Sequence, residues 1–413
     1  MTAGLTLTAC GGSSGGSAAS SKTLNVALSL GVLPASVWAP FEKQTGIHVN
    51  YTNIEWSSLQ TKIAAAAESK TYFADVTDVD WSKTGEYTRT GWFLPLNKYF
   101  SATTLKAGFP AMGAFINSKG TFYGIPGDSQ FLVTTVNTKI FKAAGITRMP
   151  TTMAEYTSDL QQIKAKGIVA HPLGMPLAAA EYLSTYFYEL TNAFGGTPLT
   201  CSYAPTFASP SSAGYKAVAW IVNAYKTGLI PPGDINEIVD PVEAEMAHGK
   251  VASLFSDYSG NVLVFYDNKK NSTVPGDVQY IDTPGVSGPA NNFTDPDGLG
   301  IPVSADNPSG AAKFIKWFTS PAGQLRLASS VGVPGNAAAD TSYEKAFPNV
   351  GQPTLDTLAK QHARPVFPCG APPWYPQFSD AVNTNIHAAA SGQKSVAAAV
   401  AAIYSTVQSL RKQ

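Results

Sequence analysis

Strands and helices alternate along the stretch that follows residue 22, and this alternation constrains the fold more than any other feature of the chain. Thr23–Leu28 and Asp75–Val79 are short segments that we interpret as strands, and Ile47–Ile54 alternates enough for another. A helix carrying Phe41 separates the first two strands, and Ser57–Glu68 has apolar residues at helical spacing before the third. This βαβαβ order predicts an α/β protein with a mostly parallel sheet and helices on both faces.

The same pattern predicts where a ligand would bind. In open α/β sheets, ligands bind beyond the carboxyl ends of the strands. Three loops follow the three predicted strands: Ser29–Trp38, Glu55-Trp56 and Asp80-Trp81. We therefore expect these loops to contribute to a binding site.

The rest of the chain carries mostly helix signals. Thr152 and Glu155 have the spacing of a capping box, and Ser320-Pro321 is typical of a helix start. Ser395 precedes a C-terminal run with apolar residues on one helical face. The Pro/Gly/Asn/Asp-rich segment between Pro275 and Pro302 favours a crossing between domains.

Composition narrows the class of protein. The 413 residues, 44% of them hydrophobic, are enough for two or three folded domains. Lys plus Arg and Asp plus Glu are equal at 28 each, without basic runs, so the electrostatic pattern of a nucleic-acid-binding or membrane-surface protein is missing. No segment after residue 22 has the continuous apolar length of a membrane span.

The N-terminal residues predict export and anchoring. Leu7-Thr8-Ala9-Cys10 is followed by a Gly/Ser-rich segment to residue 21 and looks like the lipobox of a bacterial lipoprotein. Cys10 would then carry lipid, and residues 11–21 would be a flexible tether. None of the nine residues before Cys10 is Lys or Arg, although export signals begin with positive charge, so we expect the true start to lie upstream. The alternative is an incidental cysteine in a disordered terminus.

The two other cysteines, Cys201 and Cys369, have two interpretations. In an exported protein they meet oxidising conditions, which makes a disulfide between them a reasonable expectation. Two buried unpaired thiols are the alternative.

Enzyme signatures are weak. Gly12–Gly16 satisfies G-x-S-x-G only formally, because it lies in the Gly/Ser segment without strand–turn–helix context. The five histidines have no metal-ligand spacing, and neither a P-loop nor a dinucleotide fingerprint is present. We therefore expect no catalytic activity, no metal and no cofactor. A secreted glycoside hydrolase, which needs two opposed carboxylates, stays open as the enzyme alternative.

An ordered series of segments carries a family resemblance. The segments are FEKQTGIHV at 41–49, ADV at 74–76, GWFLPL at 91–96, GTFYGIP at 120–126, VNTKIF at 136–141, GKVA at 249–252, NP at 307–308 with AAKFIKWFTSP at 311–321, GVP at 332–334 and RP at 364–365. Together they resemble the family 1 extracellular solute-binding proteins of ABC importers, the maltose-binding-protein-like group. The family usually has Tyr where Val136 stands before Asn137.

The resemblance implies a two-lobe periplasmic-binding-protein fold of type II. Each lobe is expected to be a mostly parallel sheet flanked by helices, with three hinge crossings near 128–133, 283–294 and 331–336. The N-terminal lobe would comprise 22–129 and 295–332, and the C-terminal lobe 130–294 and 333–413. It also implies a monomer, lipid-anchored at the extracellular face of the membrane or in the periplasm, that delivers a small ligand to permease subunits.

The chemistry of sugars selects the candidate residues. Sugars present apolar C–H faces and rims of hydroxyls, so their sites combine aromatic rings with planar polar groups. Trp92, Trp220 and Trp317 lie in packing patterns and are assigned to the core. The candidates for ligand contact are Glu55, Trp56, Asp80, Trp81, Asp128, Gln130, Tyr182, Tyr186, Asp257, Tyr258, Trp374 and Tyr375.

The sequence leaves several ligand classes open. The abundance of Trp near the predicted cleft favours a mono- or oligosaccharide. A polyamine site would need several carboxylates, and a ferric site commonly uses paired tyrosines, whereas Tyr375 has no Tyr beside it. Polyamines, metals and oxyanions are the alternatives.

Overall fold

The computed structural model describes residues 22–412 except 118, 362, 363 and 368. Cys10 and the Gly/Ser segment, for which the sequence predicts anchoring, lie outside these residues. The described strands are β1 (Thr23–Leu28), β2 (His48–Asn53), β3 (Val76–Asp80), β4 (Gly124–Pro126), β5 (Leu132–Asn137), β6 (Leu173–Gly174), β7 (Ser253–Tyr258), β8 (Val278–Ile281) and β9 (Asp297–Gly300).

The α-helices surround two sheets. In the described part of the chain they are α1 (Ala39–Thr45), α2 (Trp56–Ser69), α3 (Thr84–Thr90), α4 (Ala102–Gly108), α5 (Thr138–Ala143), α6 (Met153–Ala165), α7 (Glu181–Ala193), α8 (Ala213–Lys226), α9 (Val239–Ala247), α10 (Pro308–Phe318), α11 (Pro321–Val331), α12 (Asp340–Ala346), α13 (Gly351–Gln361), α14 (Tyr375–Ala390) and α15 (Val396–Leu410). No helix among these residues is long and apolar enough to cross a membrane.

The first sheet has the strand order β2-β1-β3-β9-β4. β1 pairs in parallel with β2 and β3, as the βαβαβ pattern predicts, whereas β9 is antiparallel to β3 and β4. The sheet is therefore mixed rather than mostly parallel. β9 begins at Asp297, directly opposite Asp80, the last residue of β3. The chain therefore enters β9 at the end of the sheet where β3 finishes and runs back in the opposite direction. We call this sheet with its helices the N-lobe.

The second sheet has the order β6-β7-β5-β8. β6 and β7 are parallel, and β5 is antiparallel to both β7 and β8, so this sheet is mixed as well. β5 starts at Leu132, opposite the last residue of β7, Tyr258. β5 therefore runs away from the edge at which β7 ends. This sheet and its helices form the C-lobe.

Three chain segments connect the lobes side by side. The N–H of Ser129 donates to the carbonyl of Val333 at 3.0 Å, and the N–H of Leu132 donates to the carbonyl of Phe293 at 2.8 Å. The N–H of Asp295 completes the set by donating to the carbonyl of Gln130 at 2.9 Å. The three segments predicted as crossings thus meet in a short hydrogen-bonded ribbon. The exact lobe boundaries given above stay a prediction.

Local signals in the sequence explain the helix starts. Thr152 and Glu155 form the predicted capping box at the start of α6. Ser320 and Ser395 accept backbone hydrogen bonds at the starts of α11 and α15, as expected for N-cap residues. The helices flanking the two sheets therefore begin where short-range chemistry places them.

A disulfide joins Cys201 to Cys369, with their Cα atoms 5.3 Å apart. This is an ordinary spacing for a disulfide and selects the bonded alternative over two free thiols. The bond ties the loop before α8 to the segment that leads into α14. It therefore fixes a part of the C-lobe that reaches the edge of the cleft described next.

Candidate functional site

A cavity of about 560 Å³ lies between the two lobes. Ser29, which follows β1, and Asp80, which ends β3, line its N-lobe side. Tyr182 of α7 and Tyr258 of β7 line its C-lobe side. This volume is within the range of roughly 300–1,000 Å³ that is typical of small-molecule sites. We call this cavity the cleft.

Most of the residues that the sequence predicts for ligand contact come together here. Eight of the twelve candidates line the cleft: Glu55, Trp56, Asp80, Trp81, Gln130, Tyr182, Tyr258 and Tyr375. They come from both lobes and from the first crossing, so distant parts of the chain converge on one volume. Their contact with a ligand stays a prediction.

Two candidate carboxylates do not line the cleft and serve the fold instead. Asp128 lies in the first crossing, where its Oδ1 accepts from the N–H of Asp297 at 3.1 Å. It lines a smaller cavity that shares Trp56 and Asp297 with the cleft. Asp257 is buried in the C-lobe and accepts hydrogen bonds from Thr135 Oγ1 at 2.7 Å and Tyr266 OH at 2.9 Å. These hydrogen bonds favour a structural role for both carboxyl groups, and their contact with a ligand stays a prediction.

Two candidate aromatic residues also lie outside the cleft lining. Tyr186 is one turn beyond Tyr182 on α7 and is only 2% exposed, so the helix carries it into the C-lobe core. Trp374 packs edge-on against Phe378 at 6.2 Å, while its neighbour Tyr375 lines the cleft. Both residues therefore pack behind the wall of the cleft, and their contact with a ligand stays a prediction.

Aromatic rings from the two lobes meet across the cleft. Trp56 of the N-lobe and Tyr182 of the C-lobe have ring centroids 6.0 Å apart, and Trp81 and Tyr375 are 6.3 Å apart. Tyr182 also packs edge-to-face against Tyr258 at 6.4 Å. These distances are in the range of aromatic contacts. The lobes therefore adopt a closed arrangement with ring surfaces on both sides of the cavity.

The start of α2 holds Glu55 and Trp56 at the cleft. The two carboxylate oxygens of Glu55 accept from the N–H groups of Ser57 at 2.9 Å and Ser58 at 3.0 Å, so Glu55 is the N-cap of the helix. Burial opposes ionisation of this carboxyl, but the two N–H donors outweigh it and lower the pKa of Glu55. Glu55 is thus a fixed negative charge beside the ring of Trp56, the first helical residue.

A second cap positions Trp81. The Oδ1 of Asp80 accepts from the N–H of Ser82 at 2.7 Å and starts a short 3-10 turn, Trp81–Lys83. The indole N–H of Trp81 then donates to the carboxylate of Asp295 in the second crossing. Burial, together with the charge of Asp80, raises the pKa of Asp295 to about 7. One hydrogen bond therefore couples the end of β3 to the hinge.

The sequence reasoning missed five further carboxylates of the cleft. A signal existed for some of them: an Asp-Pro-Asp triplet stands in the Pro/Gly-rich crossing, and two acids lie three residues apart on α9, on one helical face. The five are Glu181, Asp240, Glu243, Asp295 and Asp297.

Carboxylates dominate the charge of the cleft. Glu55 and Asp80 bring the number of acidic residues in the lining to seven, and none of the described lining residues is Lys, Arg or His. Burial and the charges of neighbouring carboxylates raise the pKa of Asp297 and Glu243 well above the usual range. No group of three or more potential ligands in the described residues could hold a metal ion.

The chain matches a known protein family and known structures. The family model of bacterial extracellular solute-binding proteins matches residues 28–325. No curated protein sequence matches the chain. Among solved structures, a solute-binding protein of an ABC transporter from Agrobacterium radiobacter K84 in complex with ribitol superposes with a TM-score of 0.82 at 20% identity, covering 94% of this chain and 98% of that one.

Two further structures have the same architecture. Maltose-bound MalE3 of T. maritima gives a TM-score of 0.80 at 19% identity over 94% of this chain and 99% of that one. A solute-binding protein of Thermotoga lettingae TMO with bound α-D-tagatose gives 0.82 at 20% identity over 95% and 100%. At these identities the likeness establishes the two-lobe fold, which confirms the predicted architecture.

The family model covers well over half of the chain, and the two-lobe fold and the inter-lobe cleft agree with it. The resemblance of the ordered motifs is thus confirmed. The chain is a member of the bacterial extracellular solute-binding protein family.

Proposed function

We propose that this protein captures a mono- or oligosaccharide in the cleft by hinge closure and delivers it to the permease of an ABC importer. The observation that carries this proposal is the meeting of aromatic rings from both lobes around a cavity rich in hydrogen-bonding groups. Rings cover the C–H faces of a sugar, and carboxylates and amides accept from or donate to its hydroxyls. The structural relatives with bound ribitol, maltose and tagatose support the same ligand class.

Closure follows from the way the walls are divided. Trp56 and Trp81 belong to the N-lobe, whereas Tyr182, Tyr258 and Tyr375 belong to the C-lobe. A ligand that contacts both sets stabilises the closed form relative to an open one and shifts the equilibrium toward it. Binding and closure are therefore coupled, and a permease that recognises the closed form receives mostly loaded protein.

We further propose that Cys10 is acylated and that residues 11–21 tether the folded part to the membrane. A Gly/Ser chain of this length is flexible and lets the two-lobe part reorient near a permease. The folded part would act as a monomer with lobes 22–129 plus 295–332 and 130–294 plus 333–413. Intact mass of the protein purified from its native membrane tests the anchor, with an unmodified Cys10 thiol contradicting it.

A thermal-shift panel tests the ligand class. A ligand at 100 times its dissociation constant stabilises the folded form by about 2.7 kcal/mol. We expect at least one mono- or oligosaccharide to raise the melting temperature of the wild type. Trp56→Leu should lose this shift, whereas Trp92→Leu, which alters a half-buried ring remote from the cleft, should retain it. A shift with spermidine, a metal or an oxyanion and with none of the saccharides would contradict the proposal.

The same samples test binding against catalysis. A glycoside hydrolase would cleave its saccharide during incubation, with two opposed carboxylates as acid and base or nucleophile. We expect the saccharide to be recovered intact by mass spectrometry. Turnover would contradict a pure binding role.

A further inference from the structure

The charge of the cleft is unbalanced in a way that a neutral sugar does not correct. Asp80, the last residue of β3, lies directly opposite Asp297, the first residue of β9. Like charges directly opposite each other on paired strands destabilise a sheet. Both residues line the cleft, and the carboxylate of Asp295 lies close enough for the charge of Asp80 to raise its pKa. Three carboxyl groups thus lie near one another on the N-lobe side of the cavity.

No positive side chain compensates this cluster. The four ion pairs among the described residues involve none of the cleft carboxylates. Lys83 lies beside Trp56, 5.3 Å from its ring centroid, but its ammonium donates to Gln60 Oε1 at 2.9 Å and does not line the cleft. The described lining therefore holds no cation that offsets ionisation of these carboxyl groups, and a bound cation would favour their ionised form.

A fourth carboxyl group, on the C-lobe side of the cleft, supplies an independent observation. Glu243 of α9 lines the cleft while being only 4% exposed. Its Oε1 accepts from Asn261 Nδ2 at 2.6 Å, and its Oε2 accepts no hydrogen bond from any residue that the structure describes. Oε2 is not among the buried side-chain atoms of the described residues that lack a partner, so it remains accessible from the cleft. A donor on the ligand would occupy this position.

The rings beside these carboxylates suit an organic cation better than a metal ion. Trp56, Tyr182 and Tyr258 form a continuous aromatic wall with centroid separations of 6.0 and 6.4 Å. An ammonium group is attracted to ring faces as well as to carboxylates. Ca²⁺ and Mg²⁺ require a shell of oxygen ligands, and no group of three or more acidic, His or Cys side chains in the described residues is placed to hold a metal ion. The combination favours a protonated amine over a bare metal.

We propose that the natural ligand is an amine-bearing carbohydrate, with its ammonium group held among Asp80, Asp295, Asp297 and Glu243 and its sugar frame against the aromatic wall. This inference rests on the proposed function, because the saccharide frame is part of it. It adds that the amine is a principal determinant of specificity. Charge-assisted hydrogen bonds are roughly twice as strong as neutral ones, so the amine contributes more than the hydroxyl or acetamide in its place.

Isothermal titration with matched sugars tests this inference. The probes are 2-amino-2-deoxy sugars of gluco, galacto and manno configuration, each as monosaccharide and β-1,4-linked disaccharide, with the N-acetylated and the 2-hydroxy form of each. We expect the tightest probe to be a free amine that binds at least ~10-fold more tightly than its acetylated and hydroxyl counterparts, which corresponds to the difference between a charged and a neutral hydrogen bond. Its affinity should fall with added salt.

Two variants separate charge from shape. Glu243→Gln keeps the size of the side chain but cannot ionise beside a bound ammonium group, so it should reduce the preference for the amine over its neutral counterpart by about 10-fold. Glu68→Gln makes the same change on an exposed residue of α2, outside the cleft, and should leave both affinities unchanged.

The outcomes distinguish this inference from the function on which it rests. If a neutral or acetylated sugar binds as tightly as the amine, or if Glu243→Gln leaves the preference intact, the inference is wrong while sugar capture stands. If spermidine or CaCl₂ binds and no sugar does, the proposed function fails together with the inference. If none of the probes binds, the assignment to amine-bearing carbohydrates is wrong.

Discussion

Gly260 and Gly332 bring the two lobes into backbone contact beside the hinge, and adding one methyl group there should weaken ligand binding. Gly260 follows β7 in the C-lobe, and Gly332 ends α11 in the N-lobe. A Cβ at position 260 would lie 2.7 Å from the Cα of Gly332 and 3.0 Å from Oε1 of Gln130. Gly260 does not have a positive φ, so alanine introduces the contact without backbone strain.

The magnitude follows from the missing space. Ordinary van der Waals contact begins at 3.4 Å, so the backbones must separate by about 0.7 Å in Gly260→Ala. Overpacking of this kind costs roughly 1–3 kcal/mol. The lobes are closed over the cleft in this structure, so we expect the cost to fall on closure and the dissociation constant to rise by about 5- to 150-fold.

Titration calorimetry with the saccharide that stabilises the wild type most measures this effect. Gly233→Ala is the matched control, since it changes glycine to alanine in the C-lobe where nothing lies within 4 Å. We expect Gly233→Ala to bind as the wild type does and Gly260→Ala to melt normally without ligand. Equal affinity of Gly260→Ala and the wild type would refute the idea that closure brings these backbones together.

Three further predictions concern stability. The Cys201–Cys369 disulfide closes a loop of 168 residues, for which the lost chain entropy of the unfolded state stabilises the fold by up to about 5 kcal/mol. The double variant Cys201→Ser/Cys369→Ser should therefore melt markedly lower than the oxidised wild type and at the same temperature as the reduced wild type. Equal melting temperatures of the oxidised and reduced wild type would contradict this. The pKa of Asp295 is raised to about 7 and that of Glu243 is raised well above its usual range, so the native state binds more protons than the unfolded state. The free energy of unfolding without ligand, measured by calorimetry, should therefore fall as pH rises from about 5 to 8. A rise over that interval would contradict the burial of these groups. Glu55→Ala removes the N-cap of α2 and should lower the free energy of unfolding in urea by about 1 kcal/mol, a loss that an unchanged denaturation midpoint would exclude.

Local signals predicted much of the fold. The alternation of strands and helices up to Asp80 depends on neighbours within one turn or one strand, and the structure reproduces it with β1, β2, β3 and the helices between them. The capping box at Thr152 and the N-cap at Ser395 are equally local. The parallel order is absent at β9 and β5, because their direction is set by where the chain crosses the hinge, more than a hundred residues from the strands they join.

The site was predictable to the extent that strand ends define it. Trp56 and Trp81 follow strands that the sequence predicts, and both line the cleft. Asp257 fulfils the same rule but is consumed by hydrogen bonds within the C-lobe, and depth of burial is a tertiary property. Asp295 was missed because its partner Trp81 is 214 residues away, and no local pattern links them.

A crystal structure of the protein with the saccharide that binds most tightly would show directly whether the cleft captures it by closure of the lobes. We expect the sugar to lie between the closed lobes, with its ring against Trp56 or Tyr182 and polar contacts to Asp295 or Asp297. A sugar bound outside the cleft, or a bound sugar that contacts one lobe only, would contradict capture by hinge closure.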